Sequence, residues 1–327
     1  MPSKSFSLYK LHFKAPIHIG SSRDDYGISL RCLSSDSMYA ALTAILAHLG
    51  SDIPSDGYLG CVISSLFPYY KPKGGLQATF FFPKPKTATA HSSGAQSSIS
   101  AKQIKKVSWI DLPLLQRMLN GEDVFDSGML ASYISGEYLT MDSIEPDFVQ
   151  SEIMERVTVS RQFEVAVPFY MERIYFKGDS GLFFLAEGDT SLIDKALPLL
   201  SEEGIGTDRH VGQGVFDYEK EPLPIDLPDH TGHGVSLSTF IPDSKDRLKS
   251  LLEQEPLAYD FSRIGGWITT PPYLALRKNA IYGFSPGSVF KNLLPGEGRI
   301  VDLAPKGMVS HPIWRCGKTL VLPIKCE

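Results

Sequence analysis

The sequence has too little positive charge for a free-standing nucleic-acid binder with a basic surface. Its 32 lysines and arginines are outnumbered by 37 aspartates and glutamates, for a net charge of −5. That balance leaves room for a local basic groove and for acidic or neutral faces that meet protein partners. Cysteine is scarce. Cys32, Cys61, Cys316 and Cys326 are scattered with no C-x-x-C pair, which argues against a disulfide framework or a zinc site. Free thiols in a reducing cytoplasm are expected instead. No apolar run reaches the roughly 18 residues needed to span a membrane as a helix. Nor does the N-terminus carry the apolar block of a secretory signal, since Ser3 to Lys14 alternates. What is present is enough apolar material, 43% of 327 residues, for sizeable cores in two domains or one large one.

The alternation of Ser3–Lys14 predicts a strand with one well-buried face. A long loop over Ala15–Ser34 follows. Ser34-Ser35-Asp36 then opens a helix whose Met38, Leu42, Ile45, Leu46 and Leu49 share one face, with Gly50 ending it. The pattern predicts a second helical piece over Leu59–Leu66, a strand at Ala78–Phe82 and a helix near Leu112–Leu119. Residues 84–101 are rich in Ser, Thr, Ala and Lys and read as a loop. Ser127–Ile153 has weak periodicity and reads as an excursion from the fold. Strands are expected at Arg156–Phe163, Phe169–Phe176 and Gly181–Glu187, the last two joined by a Gly178–Gly181 hairpin turn. Pro222–Gly234 reads as a linker. Beyond it a strand over Val235–Ile241, a helix over Asp243–Leu252, a hairpin within Tyr259–Phe284 and two closing strands repeat the architecture. Strand–helix–strand order thus appears twice, in two α+β domains over 1–221 and 234–327, with insertions near 84–106 and 127–153.

The densest local signal is the turn Gly204-Ile205-Gly206-Thr207-Asp208-Arg209-His210-Val211-Gly212-Gln213-Gly214, between a predicted helix at Ser191–Leu200 and a strand at Val215–Tyr218. Four glycines allow positive φ and close backbone approach, and Arg209 and His210 give the turn a basic centre suited to a phosphate chain. The order helix–turn–strand is the reverse of the dinucleotide fingerprint, and no Gly-Lys-Ser/Thr makes it a P-loop. A purely structural turn at a helix C-terminus accounts for the same residues.

Three segments together resemble a known family. They are the opening Pro16-Ile17-His18-Ile19-Gly20 with Ser34-Ser35-Asp36-Ser37-Met38-Tyr39-Ala40-Ala41-Leu42, the glycine turn with Val215-Phe216, and Gly307–Gly317 running into Leu322-Pro323-Ile324. The chain resembles RAMP-superfamily CRISPR proteins, and its ending is similar to subunit four of the type III-A (Csm) effector complex. The resemblance implies two ferredoxin-like, RRM-related domains and binding of the 5′ tag of the crRNA. It implies docking to the large Cas ten-type subunit, contact with the backbone RAMP subunit, and only indirect contact with target RNA. It also implies a β-hairpin thumb near the tag–guide junction and no catalytic site, cofactor or metal.

On this reading the RNA contacts are His18, Gly20, Arg23, Arg31, Ser35 and Ser37 in the first loop and at the helix start, where free amides and the helix dipole favour phosphate. Ordinary capping with solvated arginines is the plainer account. Lys105 and Lys106 in the run Lys102–Trp109 suit phosphates, with Trp109 as a stacking ring; a solvated lysine run beside a core tryptophan fits equally. Arg156 and Arg161 flank the strand after the excursion, and Met129, Leu130, Tyr133 and Ile134 are thumb wedge candidates or a small packed helix. Gly206, Arg209, His210, Gly212 and Gly214 complete the set. His230 and His233 lack further ligands for a metal. The competing class is a RAMP-type endoribonuclease processing precursor crRNA, with His12, His18, His210 and Tyr26 as its acid–base candidates. A protein-only scaffold is the third.

Overall fold

The computed structural model describes residues 3–20, 26–86, 101–125, 132–134, 136–159, 166–229, 232–254 and 258–326. Strand β1 (Ser3–Phe13) leads to helix α1 (Ser35–His48), then β2 (Cys61–Ile63), β3 (Phe67–Tyr70) and β4 (Thr79–Pro83). Helix α2 (Ala101–Lys106), β5 (Trp109–Asp111), α3 (Leu112–Leu119), β6 (Ser132–Ile134) and β7 (Tyr138–Thr140) follow. The long strands β8 (Val149–Val159) and β9 (Ala166–Phe176) precede β10 (Gly181–Gly188), α4 (Ser191–Glu203) and β11 (Phe216–Asp226). The rest comprises β12 (His233–Ser236), α5 (Lys245–Leu252), β13 (Phe261–Ile264), β14 (Ile281–Phe284), β15 (Val289–Lys291), β16 (Ile300–Asp302), β17 (Trp314–Cys316) and β18 (Val321–Pro323). The molecule is a mixed α+β fold. Among the described residues no helix is long and apolar enough to cross a membrane.

The main sheet runs β11-β1-β10-β3-β4-β5-β7-β6, with β2 also pairing β10. Its pairs are antiparallel except β5–β7. β1 lies between β11, which pairs its whole length, and β10, which pairs Ser7–Leu11, and its Phe6, Leu8, Tyr9 and Leu11 are buried. α1 and α4 pack on each other. Each buries one stripe at helical spacing: Met38, Leu42, Ile45 and Leu46 on α1, and Ile193, Ala196, Leu197 and Leu200 on α4. Leu49, expected on that face, lies just past the end of α1 and is 43% exposed.

Four expectations change. Leu59–Leu66 holds no helix. Residues 61–66 are all buried, so no polar face sets a 3.6 period, and the β-branched Val62 and Ile63 form β2. The turn at Gly178–Gly181 exists but does not join a hairpin: β9 pairs with β8, while β10 enters the main sheet beside β1 and β3. The chain therefore crosses there from one sheet to another. Pro222 and Pro224 belong to β11 rather than to a linker. β11 is an edge strand paired only with β1, so a missing amide facing outward is tolerated. Lastly, the hairpin emerging from the fold is β8–β9, in register from Val149–Phe176 to Val159–Ala166, and only its start overlaps the expected Ser127–Ile153 excursion.

The C-terminal region contributes the sheet β15-β12-β18 and the pairs β13–β14 and β16–β17. Ser244 Oγ accepts from Arg247 N at 3.0 Å to cap α5, as the sequence predicts. Val235, Leu237, Leu320, Leu322 and Ile324 join the same apolar cluster as β1 and α1. Polar contacts lock the junction. Thr239 N donates to Ser35 Oγ at 2.8 Å, Thr239 Oγ1 to Asp36 Oδ1 at 3.0 Å, and Ser238 Oγ to the Ile63 carbonyl at 2.7 Å.

Candidate nucleic-acid interface

The glycine turn links α4 to β11. Gly204, Gly206, Gly212 and Gly214 all have positive φ, and so does Asp208 at 63°. Their reasons differ. A Cβ on Gly214 would stand 1.9 Å from the Ile205 carbonyl oxygen, and one on Gly206 would stand 2.6 Å from that of His18. A Cβ on Gly212 would meet nothing within 4 Å. Ile205 N donates to Gly214 O at 3.1 Å, closing the turn, while Gly214 N and Thr207 N, at 2.9 Å each, donate to the carbonyls of Pro16 and His18. The turn is thus stitched onto the first loop, and Arg209–Gly212 is exposed.

The first loop is held from its other side by β9. Ile17 and Ile174 exchange backbone bonds at 3.0 and 2.8 Å. His18 is 2% exposed, and its Nδ1 donates to the Glu172 carbonyl at 2.7 Å. Ser29 N donates to Glu172 Oε2 at 2.5 Å, and Glu172 N donates to Tyr26 O at 2.9 Å. The Tyr26 ring lies 5.6 Å from Phe169 and 6.0 Å from His18. Arg156 Nη2 on β8 reaches Asp208 Oδ2 of the turn at 3.3 Å. Three segments far apart in sequence therefore meet: the first loop, the β8–β9 ribbon and the glycine turn. Beside them residues 206–210, Glu202, Glu203 and Thr269 line an open cavity of about 600 Å³.

The candidates divide by environment. Arg209 and His210 are exposed, with Arg209 only loosely paired to Glu203 at 3.9 Å. Gly20 is exposed and bridges to Ser29. Arg31 pairs with Glu137 at 2.9 Å, and the Glu137 carbonyl accepts from Ser108 N and Trp109 N at 2.9 and 3.0 Å. That places Arg31 near the end of α2, where Lys105 and Lys106 are exposed. Ser35 faces inward at 2% exposure, its hydroxyl taken by Thr239 N; the α1 N-terminus is covered by the C-terminal region and presents no open Ser35 site. Ser37 is half-buried and accepts from Ser34 Oγ at 3.0 Å. Trp109 is a core ring, 9% exposed and 5.9 Å from Phe67, rather than a stacking platform. Arg23, Arg161, Met129, Leu130 and His230 lie outside the described residues.

Sequence reasoning missed Thr269 at the cavity and Glu172 beneath the loop. Neither sits in a motif; both arrive through long-range pairing. A usable signal for the region around Thr269 was its charge, because residues 261–284 contain three cations and no carboxylate.

The chain is similar in sequence and in fold to known proteins. Residues 229–324 match the family described as CRISPR Csm4 C-terminal domain. The "CRISPR system Cms protein Csm4" of Thermococcus onnurineus is 24% identical over 297 residues, 87% of this chain and 88% of that protein. Its namesake in Mycobacterium tuberculosis is 24% identical over 310 residues, 92% of this chain and 93% of that protein. Among solved structures, a chain of the Csm1-Csm4 cassette in complex with cA4 shares the fold with a TM-score of 0.62 at 19% identity, covering 99% of both chains. A chain of the Csm3-Csm4 subcomplex in the type III-A CRISPR-Cas interference complex gives 0.62 at 18% identity, covering 98% of this chain and 100% of that one. The C-terminal region thus matches the Csm4 C-terminal domain, and over most of its length the chain is similar in sequence and in fold to Csm4 proteins.

Proposed function

We propose that this chain is a non-catalytic subunit that binds the 5′ tag of the crRNA and docks the large Cas ten-type subunit and the backbone subunit. The observation that carries the reading is the joining of the first loop and the β8–β9 ribbon to the glycine turn, whose Arg209 and His210 line an open cavity together with Glu202, Glu203 and Thr269. A turn that exposes its basic centre while its glycines hold the frame suits a phosphate chain. The relatives captured as a Csm1-Csm4 cassette and a Csm3-Csm4 subcomplex support the two protein contacts.

The N-terminal region reads as one ferredoxin-like, RRM-related domain, because β1-α1-β3 and β10-α4-β11 interleave in the order β11-β1-β10-β3. Residues 234–327 are the second. The β8–β9 ribbon is the thumb. A nuclease role for His18 is disfavoured by its burial and by the Nδ1 bond to Glu172, which leave it poorly placed to take a proton from a 2′-hydroxyl.

The test is to tag the chain, express it with its neighbouring genes, and identify the co-purifying proteins and RNA. Recovery of a large and a backbone subunit with a tagged crRNA is expected, and purified chain should leave labelled repeat RNA intact with or without magnesium. Cleavage that disappears in His18→Ala or His210→Ala would establish the endoribonuclease reading instead.

A further inference from the structure

Several of the cations closest to motifs are already engaged: Arg31 with Glu137, Arg156 with Asp208, Arg209 with Glu203 and Arg315 with Asp36. A second set is not. Residues 261–284 contain Arg263, Arg277 and Lys278 without one aspartate or glutamate, interleaved with Phe261, Trp267, Tyr273, Tyr282 and Phe284. Among the described residues none of these three cations forms a salt bridge.

Their placement is ordered. β13 and β14 pair Phe261 with Phe284 and Arg263 with Tyr282, which puts Phe261, Arg263 and Tyr282 on one face of the ribbon. Phe261 and Tyr282 are 56% and 60% exposed, with ring centroids 5.8 Å apart and edge-on. Past the strand ends Trp267 bridges to Arg277, whose guanidinium lies 4.8 Å over the indole. Two residues on, Thr269 lines the cavity of the glycine turn. Exposed rings beside cations that form no salt bridge among the described residues match a ligand that alternates π faces with negative charge.

We propose that the β13–β14 ribbon is a stacking platform for single-stranded RNA, continuing the path from the glycine turn, with Phe261 and Tyr282 under bases and Arg263, Arg277 and Lys278 on phosphates. This rests on the RNA-binding reading of that turn. Single-stranded RNA is favoured over an acidic protein surface because the ribbon supplies rings as well as charge, and the loop beyond it reaches the cavity at Thr269. Lys278 also lies near Arg315, and burial together with that guanidinium pushes its ammonium down to about 8. An RNA phosphate would relieve the repulsion.

The experiment compares the full chain, free and in its assembled complex, carrying Arg263→Ala with Tyr282→Ala or, separately, Arg209→Ala. Binding of labelled single-stranded tag RNA is read across salt, with thermal melting as the folding control. The ribbon variant should melt like the parent, as both side chains are exposed, and bind about tenfold more weakly through one lost stack and one lost phosphate contact. Its log–log salt slope should flatten by about 0.7. If Arg209→Ala weakens binding and the ribbon variant does not, the platform is wrong and the glycine-turn reading stands. If neither variant changes RNA binding, both fall. If the ribbon variant keeps its RNA but loses a partner subunit on co-purification, the face docks protein and the proposal is overturned.

Discussion

The carbonyl oxygen of His18 occupies the space that a side chain on Gly206 would need, with a Cβ there standing 2.6 Å away. The same carbonyl accepts from Thr207 N at 2.9 Å, so the contact is part of the stitching between first loop and turn. Gly206 is thus required by protein backbone, whether or not RNA is present. Gly212 differs: its φ is +80° but its Cβ would meet nothing. Gly206→Ala should lower stability by more than about 2 kcal/mol, since a clash adds to the cost of positive φ. Gly212→Ala should cost about 1–2 kcal/mol from φ alone. Denaturant titration separates them. RNA affinity per folded molecule reports on ligand approach only at Gly212, where a drop larger than the folding loss would place RNA against the turn's outer arc.

Asp208 is the acidic residue that most directly opposes phosphate at the turn, because it neutralises Arg156 at 3.3 Å. Asn tolerates the left-handed backbone at this position. Asp208→Asn should therefore cost no more than about 1 kcal/mol of stability, the range of a partly exposed ion pair. It should strengthen RNA binding several-fold by freeing the guanidinium and removing a repulsive charge. Equilibrium binding at two salt concentrations checks this, and unchanged affinity in Asp208→Asn would put Arg156 off the RNA path.

Ser35 is a structural residue on this geometry. Its hydroxyl accepts from the buried Thr239 amide, and Asp36 beside it holds Thr239 Oγ1 and the backbone-anchored Arg315. Ser35→Ala should destabilise by about 1–3 kcal/mol, the cost of stranding a buried donor. Asp36→Ala should cost about 3–5 kcal/mol by leaving Arg315 without its counter-charge. Both should show as lower melting temperature, with RNA affinity of the folded fraction unchanged for Ser35→Ala.

The fold was legible where local chemistry and tertiary demand agree. α1 and α4 follow from apolar stripes, although the expected Ser34 side-chain cap on α1 is not made, α3 and α5 carry side-chain caps, and β1 follows from its alternation. It was illegible where pairing is long-range. Nothing local in Lys177–Gly181 tells that the turn passes between sheets, and nothing in Pro222 and Pro224 says that their strand lies at an edge. The site divides similarly. The glycine turn announced itself by composition, and its partners Pro16 and His18 sit in the loop that the resemblance singled out. Ser35, by contrast, carries the residue type of a phosphate contact, yet its exposure is decided by Thr239, 204 residues away in sequence.

Lys278 gives a pH-dependent test that joins stability to binding. Burial and the Arg315 guanidinium hold its ammonium down to about 8 from an ordinary 10.5, with Asp36 pulling the other way. Below pH 8 the lysine is charged in both folded and unfolded chains, and the fold carries the full penalty. Between pH 8 and 10.5 the folded chain has released a proton that the unfolded chain still binds, so this group makes stability rise with pH. The rise cannot exceed about 1.4 kcal/mol per pH unit, the value for one proton. Lys278→Met should be more stable than the parent at pH 7, and its advantage should shrink as pH climbs past 8. Denaturant midpoints measured in parallel at pH 7 and 9.5 isolate the effect, because every other titrating group is common to both proteins. A phosphate at the ribbon would act in the opposite direction, favouring the charged ammonium. RNA binding at pH 8 should then take up a fraction of a proton, seen as a buffer-dependent binding enthalpy, and Lys278→Met should abolish that dependence. Equal proton uptake in parent and variant would remove Lys278 from the RNA surface while leaving the stability prediction to stand by itself.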